Sequence, residues 1–254
     1  MNDRLEDRAR MMIRSFKNFV SAGSGVDLFD YQLDPADSIL NSIQQQLGLT
    51  IVIIFPRMSG KDELLAHLVS YLMRMLNDKD HSIIEINSSE VMHDIAFSRL
   101  VEKVSTNVLT RARWLKYKEV VGIGTCLTTF LYPGQDAGYP ILPADLLFIV
   151  NDAQNILPDY FDEEYFNLAF TNNITRVICG SSWDDKSLLS REAKKALVSE
   201  KTDGIKRVFK VSADEVAKVK QGYGEMVAEV SEMMGKNNQY VLSQYYGKEI
   251  ITGD

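Results

Sequence analysis

Short apolar runs alternate with segments of helical periodicity along most of this chain. Runs of about five residues, rich in β-branched and large aliphatic side chains, are typical of strands that are buried on both faces of a sheet. They predict strands at residues 50–55, 82–86, 118–132 (two strands around Gly122 and Gly124), 146–150 and 175–179. Helical spacing predicts helices at residues 5–20, 61–76, 88–104 and 162–168. Another is predicted after Pro35, through Ile39, Leu40, Ile43 and Leu47. This alternation predicts an α/β sandwich with a mainly parallel sheet.

A chain of 254 residues can bury one large core, so we predict a single domain over residues 1–254. Its core is expected to span about residues 28–211, with an N-terminal helix within residues 1–20 outside it. Residues 212–254 start with a polar segment of weak helical periodicity. We interpret this tail as a small helical lid or appendage.

The strand at residues 50–55 leads into a short polar loop that ends in Gly60-Lys61, and a helical pattern follows at once. A buried strand, a tight loop and a helix N-terminus cradle phosphate well, because backbone N–H groups and the helix dipole face the anion. Lys61 can reach the outer phosphates from there. The usual phosphate loop has glycine where this chain has Phe55 and Ser or Thr where it has Asp62. An ordinary turn is the alternative.

Polar side chains follow two further apolar strands. Asn151 and Asp152 come directly after one of them, and Ser181 and Ser182 come after the next. Ligands of open parallel sheets bind at the carboxyl ends of the strands, so Lys61 and Asp152 are predicted to converge there. Nucleotide hydrolysis needs acidic groups at such a place to hold a metal and to position water. Ordinary Asn-Asp and Gly-Ser-Ser turns are the alternative.

The composition, with 45% hydrophobic and 25% charged residues, is that of an ordinary globular protein. The apolar runs are too short to span a bilayer, and the N-terminus has no signal-peptide core, so we expect a cytoplasmic protein. Two isolated cysteines, Cys126 and Cys179, are predicted to be buried thiols, and the three scattered histidines suggest no zinc site.

Net charge is −7 and the isoelectric point is near 5.1, so any contact with nucleic acid needs a local basic patch. The best candidate is a run of four bases interleaved with Trp114 and Tyr117. These bases are Arg111, Arg113, Lys116 and Lys118. A solvated helix end that leads into a strand explains the same residues equally well.

The order of these features resembles the ATPase domain of large terminase subunits, the motors that package DNA into tailed-phage capsids. The resemblance covers about residues 28–246 and implies a P-loop NTPase fold of the RecA/ASCE-like type. Five motifs carry it. The first three are a glutamine motif at Phe29–Gln32, a deviant phosphate loop at Pro56–Glu63 and an acidic motif at Ala144–Gln154. The fourth is a coupling motif at Gly180–Trp183 with Leu188–Glu192 after it, and the fifth, Asn237–Tyr246, resembles a stretch that often precedes the family's nuclease domain.

The resemblance implies a nucleotide site, with ATP and Mg²⁺ as cofactors. Tyr31 and Gln32 would contact adenine. The phosphates would lie against the loop backbone, which consists of Arg57, Met58, Ser59, Gly60, Lys61 and Asp62. Lys61 and Arg57 would stabilise the charge that develops on the γ-phosphate. Ser181 and Ser182 would couple phosphate release to movement of the subdomain.

Three departures from the family pattern concern the metal and the attacking water. Asp62 replaces the usual hydroxyl, Asn151 replaces the first acidic residue, and Asp152 stands at the position of the catalytic glutamate, where it would orient water. We interpret Asp62 and Asn151 as a swap, because one carboxylate appears where another disappears. The charge around Mg²⁺, held by Asp62, Asn151 and Asp152, would then be nearly conserved.

The resemblance also implies partners: double-stranded DNA, a portal protein, a small terminase subunit and further copies of the chain in a ring on the procapsid. The host cytoplasm is the implied location, with no role for a membrane. The family's nuclease is an RNase H-like domain, and the chain ends too soon after residue 246 to contain it, so no nuclease activity is expected. A helicase-like or repair ATPase, or a nucleotide-binding P-loop protein with weakened hydrolysis, is the alternative.

Overall fold

The computed structural model describes residues 15–136, 138, 140–169 and 173–252. Most of the helix predicted at residues 5–20 lies outside the described residues, and α1 begins at Phe16. The helices are α1 (Phe16–Ser24), α2 (Asp30–Gln44), α3 (Lys61–Met75), α4 (Glu90–Thr106), α5 (Pro158–Glu164), α6 (Leu188–Asp203), α7 (Ala213–Ala217), α8 (Tyr223–Met234) and α9 (Gln239–Gln244). The strands are β1 (Thr50–Ile54), β2 (Ser82–Ile86), β3 (Trp114–Tyr117), β4 (Val120–Ile123), β5 (Cys126–Leu131), β6 (Leu147–Val150), β7 (Thr175–Gly180) and β8 (Val208–Lys210).

All eight strands belong to one sheet in the order β3-β4-β5-β2-β6-β7-β1-β8. The six strands β5-β2-β6-β7-β1-β8 of this order run parallel to one another. Strands β3 and β4 add an antiparallel edge. Strand β7 lies between β1 and β6, with Gly180 beside Ile54 and Ile178 beside Val150. The carboxyl ends of these three strands therefore meet at one edge of the sheet.

Helices cover both faces of the sheet, because successive side chains of a strand point to opposite sides. On β1, Ile51 and Ile53 join the core that contains helices α1 to α4, while Val52 joins the core that contains α5 and α6. The predicted sandwich with a mainly parallel sheet is confirmed.

Several element boundaries differ from the prediction. Helix α2 begins at Asp30 and contains Pro35, where the sequence suggested a start after the proline. The helix predicted at residues 162–168 is instead α5 followed by a 3₁₀ turn at Phe166–Ala169, because Pro158 at the first helical position favours an earlier start. The basic run at residues 111–118 contains a strand, β3, and the three-residue strand β8 lacked a periodic signal.

Helices α7, α8 and α9 form the tail, which has a small apolar cluster of its own. Ala213, Val216, Tyr223, Val227 and Tyr245 are buried in it, and Tyr31 of α2 packs against them. The tail therefore lies against α2, whose Tyr31 and Gln32 donate hydrogen bonds to the phosphate loop. Within the described residues, no helix combines the length and apolarity needed to cross a bilayer.

Candidate nucleotide-binding site

A cleft of about 620 Å³ opens at the carboxyl edge of the sheet. Its wall is formed by the loop between β1 and α3, the start of α2, one side of α4, and the residues that follow β6 and β7. A site at this edge of the sheet was predicted from the sequence, because β1 and β6, the strands that flank β7, both end here.

Side-chain donors hold five consecutive carbonyl groups of the loop at residues 56–60. Ser59 Oγ donates to the Pro56 oxygen at 2.7 Å, Tyr223 to Arg57 at 2.7 Å, Lys220 to Met58 at 2.5 Å, Tyr31 to Ser59 at 2.6 Å and Gln32 to Gly60 at 2.9 Å. With its carbonyl oxygens engaged in this way, the loop is fixed before any ligand arrives.

Most amide groups of the same loop remain available to an anion. Among the described residues, the N–H groups of Met58, Gly60, Lys61 and Asp62 have no hydrogen-bond acceptor, whereas Arg57 donates to the Gln244 carbonyl. Lys61 and Asp62 open α3, where helix geometry leaves N–H groups without intrahelical partners. Gly60 has φ +102°, which favours glycine, and a Cβ there would lie 2.8 Å from the Gln32 amide. The backbone thus forms an anion-binding nest.

Lys61 and the residues after β6 converge as predicted. The Lys61 ammonium lies 2.7 Å from Asp62 Oδ1 and 3.2 Å from Asp152 Oδ1, and it donates to Asn151 Oδ1. Burial disfavours the charged lysine, but the two carboxylates outweigh this effect, so the pKa of Lys61 is raised. Burial also raises the pKa of Asp62, but the Lys61 charge, the hydrogen bonds from Lys61 and Asn151 and the Arg99 charge together outweigh this effect, so that the net shift is downward. Three oxygen ligands therefore surround one cationic group.

Asp62 and Asn151, two of the three departures from the terminase pattern, are in direct contact. Asn151 Nδ2 donates to Asp62 Oδ1 at 3.1 Å and lies 3.4 Å from Glu85 Oε1 and 3.3 Å from Asn87 Oδ1. A carboxylate at position 151 would meet both Asp62 and Glu85, so the amide is the side chain that fits between them.

Glu85 was missed by the sequence analysis. It lies in β2 and is 4% exposed, and burial followed by the nearby Asp62 charge raises its pKa to about 8. The signal in the sequence was a single charged residue within an apolar strand.

Tyr31 and Gln32 lie beside the loop, but their polar groups are already engaged. Gln32 Oε1 accepts from the Phe29 N–H at 3.0 Å while its amide nitrogen holds Gly60, and burial raises the pKa of Tyr31 to about 12. In this arrangement both residues brace the phosphate loop. Gln32 and Phe29 line the cleft, and contact with adenine stays a prediction.

The side chain of Arg57 lies at the cleft wall and extends toward the tail. Its guanidinium carbon is 5.9 Å from the centre of the Tyr240 ring of α9. Its contact with a γ-phosphate also stays a prediction.

The end of β7 connects the acidic turn, the phosphate loop and the tail. Ser181 Oγ donates to the Phe55 carbonyl at 2.9 Å, and its N–H donates to Gln154 Oε1 at 3.2 Å. The Ser182 carbonyl accepts from Gln244 Nε2 at 2.6 Å and from the Ser243 hydroxyl. These hydrogen bonds link the three elements directly.

The four predicted basic residues lie far from the cleft in the sheet order. Arg111, Arg113, Lys116 and Lys118 are exposed around β3, at the opposite edge from β1. The Lys116 ammonium lies 4.6 Å from the centre of the Phe97 ring. None of these four residues lines the cleft.

Both cysteines are buried free thiols, as predicted. Among the described residues, no group of three or more His, Cys, Asp or Glu side chains is arranged to hold a metal ion.

No protein-family model matches the sequence, and no curated protein sequence matches it either. Solved structures do. The large terminase of bacteriophage HK97 aligns over 95% of this chain and 55% of its own, with a TM-score of 0.72 and 17% identity. The ATPase domain of the Thermus phage P74-26 large terminase aligns over 89% of this chain and 94% of its own, with a TM-score of 0.65 and 14% identity.

A third similar structure, a large terminase from a thermophilic bacteriophage in complex with ADP, aligns over 86% of this chain and 52% of its own, with a TM-score of 0.59 and 7% identity. The chain thus spans about half the length of the HK97 terminase. At these identities the likeness establishes the fold: this is a RecA-like P-loop fold of the kind found in the ATPase domains of phage large terminases.

Proposed function

We propose that this chain is the ATPase motor domain of a phage large terminase, which hydrolyses ATP with Mg²⁺ to drive double-stranded DNA into a procapsid. The observation that carries the proposal is the braced loop with its available N–H groups, placed beside Lys61 and Asp152. A preorganised nest and an ammonium group stabilise transferred phosphate without reorganisation. ADP bound to a protein of this fold supports a nucleotide as the ligand.

The ligand oxygens suit Mg²⁺. Asp62, Asn151 and Asp152 already surround the Lys61 ammonium, and Mg²⁺ prefers one or two carboxylates completed by phosphate oxygens and water. When bound, the ion would neutralise charge on the phosphates. The Lys61 ammonium would then exchange its contacts with the carboxylates for contacts with the phosphates. Asp152 would orient the attacking water.

The remaining roles follow the resemblance. Tyr31 and Gln32 are assigned to the adenine side, Arg57 to the γ-phosphate, and Ser181 and Ser182 to coupling, for which their bonds to Phe55 and Gln244 provide a path. The exposed patch around β3 is assigned to DNA or a neighbouring subunit. Portal protein, small terminase subunit and a ring of copies in the host cytoplasm complete the proposal.

Weakened hydrolysis is the second candidate function. Asn151 replaces a carboxylate and is hydrogen-bonded to Asp62, which favours a protein that binds nucleotide and hydrolyses it slowly. The rate of phosphate release separates the two candidates.

The test is phosphate release from Mg²⁺-ATP, with and without DNA, by the wild type and by Lys61→Ala. We expect the variant to lose about 10²–10³-fold in rate. Lys61 also neutralises two partly buried carboxylates, so the variant is compared below its own unfolding temperature, with the exposed Lys79→Ala as matched control. More than half the wild-type turnover in Lys61→Ala would refute the proposal. In the same preparation, no nicking of plasmid DNA is expected.

A further inference from the structure

The tail contributes one basic side chain to the cleft. Lys220 lies in the turn between α7 and α8, is partly buried, and lines the cleft together with the phosphate loop. Its ammonium donates to the carbonyl of Met58, the tip of the loop, at 2.5 Å and lies 5.6 Å from the centre of the Tyr223 ring. The tail thus places the positive charge of Lys220 beside the phosphate loop whose N–H groups have no acceptor.

The other cations of the cleft differ in how their charge is balanced. Lys61 is paired with Asp62 and Asp152, and Arg99 is paired with Glu63. Arg57 has no ion pair among the described residues and lies 5.9 Å from the centre of the Tyr240 ring in the tail. Within the described part of the chain, Lys220 forms no ion pair at bonding distance. Its contacts are a neutral carbonyl and an aromatic ring. Burial lowers the pKa of Lys220, and the more distant Glu63 opposes this effect only in part.

A cation that is partly desolvated and lacks a counter-ion binds an incoming anion favourably, because the anion supplies the missing charge. The nest at Met58 and Gly60 suits an anion, and phosphate is the anion that the proposed function supplies there. Met58 provides both the carbonyl that holds Lys220 and an N–H of the nest. The residue whose carbonyl holds the Lys220 ammonium would therefore also offer its N–H to a phosphate oxygen.

We propose that Lys220 is a nucleotide-binding residue that contacts the polyphosphate of ATP from the tail. The inference rests on the proposed function. It makes nucleotide affinity depend on the position of the tail, since Lys220 and Tyr223 reach the loop from the same turn. Binding of nucleotide and docking of the tail then favour each other.

Two variants separate charge from hydrogen bonding. Lys220→Gln keeps a donor for the Met58 carbonyl but removes the charge, and Lys220→Arg keeps both. The matched control is Lys218→Gln, two residues away and exposed outside the cleft. The Kd of Mg²⁺-ATP is measured by calorimetry at two salt concentrations, and thermal unfolding verifies that each variant is folded.

We expect Lys220→Gln to weaken ATP binding roughly tenfold, as for a lost hydrogen bond to a charged group, and to reduce the salt dependence of Kd. Lys220→Arg and Lys218→Gln should stay within about threefold of the wild type. Wild-type affinity in Lys220→Gln would overturn the inference and leave the proposed function standing. A wild-type chain that does not bind ATP at all would instead overturn the proposed function, and the inference with it.

Discussion

Asp62 and Asn151 are predicted to act as one unit, and a double-mutant cycle can measure this. Asp62→Thr restores the hydroxyl that is usual in the phosphate loop, and Asn151→Asp restores the usual carboxylate. The two side chains touch, with Asn151 Nδ2 at 3.1 Å from Asp62 Oδ1. Residues in contact are expected to couple, whereas independent substitutions add.

The structure sets the size of the coupling. Asn151→Asp replaces a favourable amide–carboxylate contact by two like charges about 4 Å apart, which corresponds to about 4 kcal/mol at an effective dielectric constant of 20. The Asp62 side chain is 36% exposed, so solvent screens part of this repulsion. Lys61 offsets another part, since it contacts both positions. A coupling free energy of about 1–3 kcal/mol remains.

The assay is the Kd of Mg²⁺-ATP for the wild type, the two single variants and the double variant. Asp62→Thr alone should weaken binding, and Asn151→Asp alone should raise the proton affinity of the neighbouring carboxylates. Adding Asp62→Thr to Asn151→Asp removes the repulsion, so the double variant should bind better than the sum of the single effects predicts. Additivity within about 0.5 kcal/mol would show that the two departures are unrelated.

Two further predictions concern the carboxyl groups of the cleft. Asp152→Asn should nearly stop turnover and spare ATP affinity, because orientation of water matters in the transition state more than in the ground state; a collapse of affinity with a normal rate at saturation would make Asp152 a binding residue. Glu85 has a folded-state pKa of about 8, above its ordinary 4.5, so the folded protein keeps a proton that the unfolded chain loses, and stability should fall by a few kcal/mol as pH rises between these values. Glu85→Gln removes this loss in metal- and nucleotide-free protein, and identical pH slopes of the unfolding free energy in both proteins would contradict it.

The sequence identified those parts of the site that depend on local pattern or on strand order. Lys61 follows a buried strand directly, and its meeting with Asp152 follows from the rule that parallel strands end at one edge. Contacts between distant segments could not be predicted. Tyr223 reaches the Arg57 carbonyl across 166 positions of sequence. The tail was interpreted as a lid or appendage, but nothing in its sequence indicates which of its residues bond to the loop.

Side-chain direction was the second obstacle. The glutamine motif predicts that Tyr31 and Gln32 lie near the nucleotide. It does not indicate that their side chains are already bonded to Ser59 and Gly60. Those bonds depend on the packing of α2 against the loop and the tail, which a single sequence does not specify.

A crystal structure with Mg²⁺ and a non-hydrolysable ATP analogue tests the central claim most directly. We predict that the phosphates lie against the N–H groups of Met58, Gly60, Lys61 and Asp62, with the Lys61 ammonium within hydrogen-bond distance of a phosphate oxygen. Phosphates bound elsewhere, with Lys61 still paired to Asp62 and Asp152, would contradict the assignment of this cleft as the site of ATP hydrolysis.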